Sequence, residues 1–178
     1  MPEVLPETGS VTGIEIERKF RLRAAPPAAV LAANRAVPNR LVQVYLEDPP
    51  SGRRIRRIEH GDGRIEHRLT RKTQLRAFAF REDEERIDAV RYEALLLQAD
   101  PERRPVRKTR FVVPHGSQAL EIDVFDVPPG LVLVEVELAH DDEPVELPGW
   151  LGEWREVTGD PAYLNANLAR PGTVVPPW

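Results

Sequence analysis

Hydrophobic residues in this chain recur at every second position over long stretches, and the positions between them are charged. In "GIEIERKFRLR", Gly13 to Arg23, an extended backbone points Ile14, Ile16, Phe20 and Leu22 one way. Glu15, Glu17, Lys19, Arg21 and Arg23 point the other way. The same two-sided pattern returns downstream. Arg54 and Arg56 share a side, as do Glu66, Arg68, Thr70 and Lys72, then Arg81, Asp83 and Glu85. Lys108 and Arg110, Glu121 and Asp123, and Glu135 and Glu137 complete the set. Period-two alternation predicts strands over 13–23, 40–48, 52–60, 64–73, 77–88, 105–114, 118–127 and 131–139. Turn residues separate them: "GDG" at Gly61–Gly63, "PHGS" at Pro114–Ser117 and "PPG" at Pro128–Gly130.

Helical signals are few. Prolines open the Ala-rich piece Pro26–Arg35, and Asp88 is placed to cap a helix through "AVRYEALLLQA". A last helix is expected in "DPAYLNANLAR", with Asp160 as its cap. Residues 1–12 read as a flexible leader, 13–170 as one domain without internal repeat or linker, and 171–178 as a tail. Eight strands and few helices predict a mainly β (α+β) chain forming a closed antiparallel barrel.

Two arrangements fit the charged faces. In an ordinary barrel the apolar side is buried and both signs of charge face water. In the other, the barrel encloses the charges, and helices and loops cover its apolar exterior. Sorting favours enclosure: glutamate pairs sit on the first and last strands, basic pairs on the middle ones. All three lysines among 25 basic residues fall on charged faces. Enclosed charge is costly unless paired or metal-bound, so such a lumen implies function. It would receive a small, multiply anionic ligand where Arg and Lys point, and a divalent cation where glutamates converge.

Composition narrows the classes. With 178 residues and 41% hydrophobic content the chain can bury a core. Absence of cysteine excludes disulfides, thiolate metal sites and a Cys nucleophile. No apolar run reaches the roughly 18 residues of a membrane span, and "MPEVLPETGS" lacks signal-peptide order. A cytoplasmic protein without membrane association is expected. A net charge of −4 argues against nucleic-acid binding. His60, His67, His115 and His140 show no metal spacing, and no nucleophile elbow or Gly-rich phosphate loop is present.

The ordered motifs resemble the CYTH family, the triphosphate tunnel metalloenzymes. Its Glu-x-Glu-x-Lys signature is present as Glu15, Glu17 and Lys19. "VYL" at Val44–Leu46, Arg54-x-Arg56, Thr70-x-Lys72, "KTRF" at Lys108–Phe111, "DVF" at Asp123–Phe125 and "EVE" at Glu135–Glu137 follow. "PGW" at Pro148–Trp150, "EVT" at Glu156–Thr158 and Tyr163-x-Asn165 close the series. The family's Arg-x-Glu-x-Glu strand is matched by Arg81, Asp83 and Glu85, with Asp in the middle.

The resemblance implies a polar tunnel acting on triphosphates with Mg²⁺ or Mn²⁺, nearest to bacterial inorganic triphosphatases. It implies that Glu15, Glu17 and Lys19 are catalytic, and that Lys19, Arg54, Arg56, Lys72, Arg81, Lys108 and Arg110 bind phosphate. It implies Glu15, Glu17, Asp123, Glu135 and Glu137 as metal ligands, with Glu85 a weaker candidate. The expected partner is a small triphosphate or short polyphosphate, with a homodimer left open. Hydrolysis of nucleoside or thiamine triphosphate, adenylate cyclase activity, and non-catalytic binding of polyphosphate or nucleotide are the alternatives.

Overall fold

In the computed structural model, which describes residues 9–47 and 52–178, the alternating segments form strands that close on themselves. They are β1 (Ser10–Leu22), β2 (Val37–Tyr45), β3 (Arg53–His60), β4 (Ile65–Arg76), β5 (Ala79–Ile87), β6 (Val106–His115), β7 (Gln118–Phe125) and β8 (Val132–Leu138). Neighbours run antiparallel in the order β5-β4-β3-β2-β6-β7-β8-β1, and β1 returns to pair with β5. The result is a closed eight-stranded barrel. A short ninth strand, β9 (Trp154–Glu156), adds to β1 through Phe20–Leu22, beyond the end of β5.

The expected leader boundary shifts. Residues 1–8 lie outside the described residues, but Ser10, Val11 and Thr12 pair with Glu85, Glu84 and Asp83 and belong to the barrel wall. Polar alternation already begins at these residues.

Hydrophobic packing lies largely outside the barrel. The outward faces of β1, β6, β7 and β8 contribute Phe20, Leu22, Val113, Leu120, Ile122, Val132, Val134 and Val136 to one cluster. Leu31 of α1 (Ala28–Ala33) and Leu147, Trp150 and Leu151 cover it. A second outer cluster joins Val44, Leu46, Ile55 and Ile87 to Tyr92 of α2 (Ala89–Leu96). Asp88 caps this helix, accepting from the Arg91 N–H.

One end of the barrel is stoppered from within. Tyr45, Val106, Phe125, Leu131 and Leu133 meet Val157, Tyr163, Leu168 and Ala169 of the chain following β9. The single helix expected there is two pieces, a 3₁₀ turn at Pro161–Tyr163 and α3 (Asn165–Leu168), divided by extended Leu164. Gly159 enters this plug at φ +76°, where an added Cβ would stand 3.1 Å from the Ala77 Cβ. Among the described residues, no helix is long and apolar enough to cross a membrane.

Candidate functional site

Register decides which side chains share the lumen, because directly paired residues lie on the same face. Lys19 pairs with Glu135 and Glu17 with Glu137, placing the β1 and β8 charges together. Tyr45 pairs with Arg54, and Gln43 with Arg56. Arg54 pairs with Thr70, Arg56 with Arg68, and Lys72 with Glu82. Arg110 pairs with Asp123, and Glu121 with Glu135.

These faces enclose a cavity of about 510 Å³. Its lining includes seven cations: Lys19, Arg54, Arg56, Arg68, Lys72, Lys108 and Arg110. It also includes seven acids: Glu15, Glu17, Glu82, Glu84, Glu121, Glu135 and Glu137. Acidic and basic side chains thus face one another in equal numbers around the lumen. The pairs are direct. Lys72 Nζ lies 2.6 Å from Glu15 and 3.4 Å from Glu17. Lys19 Nζ lies 3.0 Å from Glu135 and 3.5 Å from Glu17. Arg54 donates to Glu82 at 2.7 Å, Arg56 donates to Glu84, and Arg68 reaches Glu84 at 2.5 Å. Arg110 reaches Glu135 at 2.7 Å and also pairs with Glu121.

Burial and crowding shift these groups. Burial pushes the Glu15 carboxyl up to about 9, with Lys72 opposing and Glu82 and Glu17 reinforcing. Its hydrogen-bonded neighbour Glu82 is held down at about 2, because Arg54, Arg56 and Lys72 outweigh its burial. The two carboxyls share one proton across the neutral range. Burial raises Glu121 to about 7 against the pull of Arg110. Lys19 rises above the ordinary lysine range because Glu135 and Glu17 overcome its desolvation. Lys108 falls through burial and the nearby Arg110 charge.

Ten expected site residues line the cavity: Glu15, Glu17, Lys19, Arg54, Arg56, Lys72, Lys108, Arg110, Glu135 and Glu137. Two do not. Arg81 stands on the outer face, opposite Ile14 and Thr73, with its side chain 59% exposed beside Asp83. Glu82 and Glu84 take the inward positions on β5, and Phe80 occupies the inward place expected for an arginine. The misplacement has a physical origin: Arg81 to Arg86 are all charged, so no hydrophobic alternation marks the face. Glu85 likewise points out and pairs with Arg91.

Asp123 is the other expected residue outside the lining. It is wholly buried, with Lys108 and Arg110 both bonded to its carboxylate. Arg110 grips it through Nε and Nη2, each at 2.7 Å. Its oxygens hold two cations at the lumen wall, behind the side chains that line the cavity.

Arg68 and Glu121 share the charged faces but are not among the expected site residues, and both line the cavity. Gln43, Tyr45 and Asn165 also reach it. Alternation with Arg54 and Arg56 across the hairpin was the signal for Gln43 and Tyr45.

The donor set suits a hard cation. Among the described residues no three acidic or histidine side chains converge into a ready-made cage. Glu137 is exposed, and its partial withdrawal from water, with the nearby Glu82 and Glu17, raises its carboxyl against Arg110 and Lys72. Carboxylates crowded in this way fit an Mg²⁺-type ion that takes one or two of them and completes its shell with water and ligand oxygens.

Comparisons with known proteins agree with this geometry. An inorganic triphosphatase of Acetivibrio thermocellus is 39% identical over 70 residues, which is 39% of this chain and 44% of that protein. The matched stretch thus spans less than half the length of that relative. The solved structure of hypothetical protein NE1496 is 32% identical, covering 91% of this chain and 99% of that one, with a TM-score of 0.54. A conserved hypothetical protein from Pyrococcus furiosus shares the fold at 23% identity and a TM-score of 0.55, over 72% and 80% of the two chains. No family model matches the sequence.

Proposed function

Because the chain belongs to the CYTH family of triphosphate tunnel enzymes, we propose that it hydrolyses inorganic triphosphate to pyrophosphate and phosphate with Mg²⁺ or Mn²⁺. The observation that carries this reading is the enclosure of seven cations and seven carboxylates around one cavity. Tripolyphosphate carries roughly four to five negative charges near neutral pH, and fixed cations are what its binding requires.

Binding is an exchange of partners. Lys72, Arg54, Arg56 and Arg110 rest on Glu15, Glu82, Glu84 and Glu135, which stand in for phosphate oxygens. An incoming triphosphate takes these cations and frees their carboxylates. The half-buried wall preserves the strength of the new contacts, since little water remains to screen them.

Glu15, Glu17 and Glu137 would hold the metal ion, with Glu135 close by and already carrying Lys19 and Arg110. When bound, the ion neutralises phosphate charge and polarises water. Water adds to the terminal phosphorus as the bridging P–O bond breaks. The departing pyrophosphate keeps that bonding pair, stabilised by the surrounding guanidinium and ammonium groups, and the proton of the water passes to a lumen carboxylate. Lys19 and Lys72 supply compact charges for single oxygens, and the arginines supply two-pronged contacts.

Phosphate release from tripolyphosphate, pyrophosphate, ATP and thiamine triphosphate, each with Mg²⁺ and Mn²⁺, tests this reading. Preference for tripolyphosphate supports it. Tight binding of all four without turnover would replace it with a sensor of polyphosphate or nucleotide.

A further inference from the structure

At the plugged end of the barrel two arginines face each other across a strand pair. Arg21 on β1 is in direct register with Arg155 on β9. Their polar contacts are to neutral oxygens. Both donate to the Tyr163 hydroxyl, Arg21 at 3.2 Å and Arg155 at 2.9 Å. Arg21 also donates to the Pro176 carbonyl, and Arg155 to the Pro177 carbonyl at 3.0 Å. The Trp178 ring lies against both guanidiniums, 5.6 Å and 5.3 Å from its centre. Among the described residues no carboxylate pairs with either arginine, and the Nε of each is buried without a hydrogen-bond partner.

This arrangement is unfinished in two ways. Like charges directly opposed across strands repel, and neutral dipoles relieve only part of that repulsion. Each guanidinium also uses Nη while Nε, the other arm of its fork, is idle. A tetrahedral oxyanion of charge −2 or more satisfies both, because it accepts from two arms at once and cancels the paired charge.

We propose that Arg21 and Arg155 form a second oxyanion site, separate from the lumen, that takes inorganic phosphate or pyrophosphate. In the free protein the 176–178 strap fills it with two carbonyls and an indole. The ligand displaces the strap, leaving Tyr163 to hold the two arginines in place.

The test uses the full chain carrying Arg56→Ala and Lys72→Ala, which weakens the lumen, titrated with phosphate and pyrophosphate in the absence of divalent metal. One residual binding event is expected. Trp178→Ala removes the competing ring and should tighten it roughly tenfold, the scale of two cation–π contacts. Arg155→Ala should abolish it, and Arg155→Lys should weaken it by removing the fork while keeping the charge. Circular dichroism and the melting temperature check that each variant is folded. Absence of residual binding even with Trp178→Ala overturns the proposal, as does binding that Arg155→Ala leaves unchanged. Neither result bears on hydrolysis in the lumen.

Discussion

Lys72 on β4 reaches over β5 to Glu15 on β1, with 2.6 Å between Nζ and the carboxyl oxygen, and rests over the Phe80 ring 4.4 Å from its centre. The ammonium is thus carried by one strand, bonded to a carboxyl of a second and walled by a third. Replacing Lys72 with Ala takes the shared ammonium from the Glu15 and Glu17 carboxyls and would remove one of the proposed phosphate contacts. A fall of at least about a hundredfold in kcat/KM for tripolyphosphate is expected, with far-ultraviolet circular dichroism unchanged. Undiminished turnover would remove Lys72 from the site.

Register on β5 gives a paired prediction. Glu82 receives Arg54 inside the lumen, whereas Arg81 is solvent-exposed outside it. Glu82→Ala should lower activity severalfold or more by freeing Arg54 and Arg56, and Arg81→Ala should leave kcat and KM within about twofold. The opposite ranking would place the other face of this strand inward.

Asp123 predicts a structural effect with a kinetic signature. Asp123→Asn leaves Lys108 and Arg110 buried beside a neutral amide, and breaking a buried pair in this way costs about 3–5 kcal/mol. For a chain of this size that corresponds to a fall in Tm of about 10 °C. The loosened cations should also raise KM more than they lower kcat. A stability loss with unchanged KM would limit Asp123 to the fold.

The pH dependence follows from Glu15. Its carboxyl is raised from 4.5 to about 9, so the folded chain keeps a proton that the unfolded chain gives up. The stability from this group is fully present below about pH 4.5 and is lost as pH rises through about 9. Glu121 acts in the same sense up to about 7. Wild-type Tm should therefore decline across this range, and Glu15→Gln should flatten much of the slope. A divalent cation bound at Glu15 as proposed would displace that proton, so metal affinity should climb with pH in the wild type and less steeply in the variant.

Much of the barrel was legible because period-two alternation survives wherever one face is apolar. Phe20 and Leu22 against Lys19 and Arg21, or Val134 and Val136 against Glu135, leave no choice of face. Enclosure inverts the usual meaning of that pattern, and the ordering of charge types along the chain was the clue. Reading failed where the alternation disappears, in the unbroken charge of Arg81 to Arg86, whose faces are set by pairing with Lys72 and Gly13. The two-fold role of Asp123 was also hidden, since spacing reveals its face but not how many cations claim its oxygens. The plug followed no periodicity at all: Leu164 breaks the expected helix in two so that Tyr163 and Leu168 both enter the stoppered end.

The most direct test of a charged lumen that cleaves triphosphate is steady-state phosphate release from tripolyphosphate by the purified full chain with Mg²⁺, before and after EDTA, beside Glu17→Gln. A metal-dependent charged lumen predicts turnover that stops with EDTA, returns with added Mg²⁺ or Mn²⁺, and is absent in the folded variant. Turnover that persists in EDTA and in Glu17→Gln would contradict it.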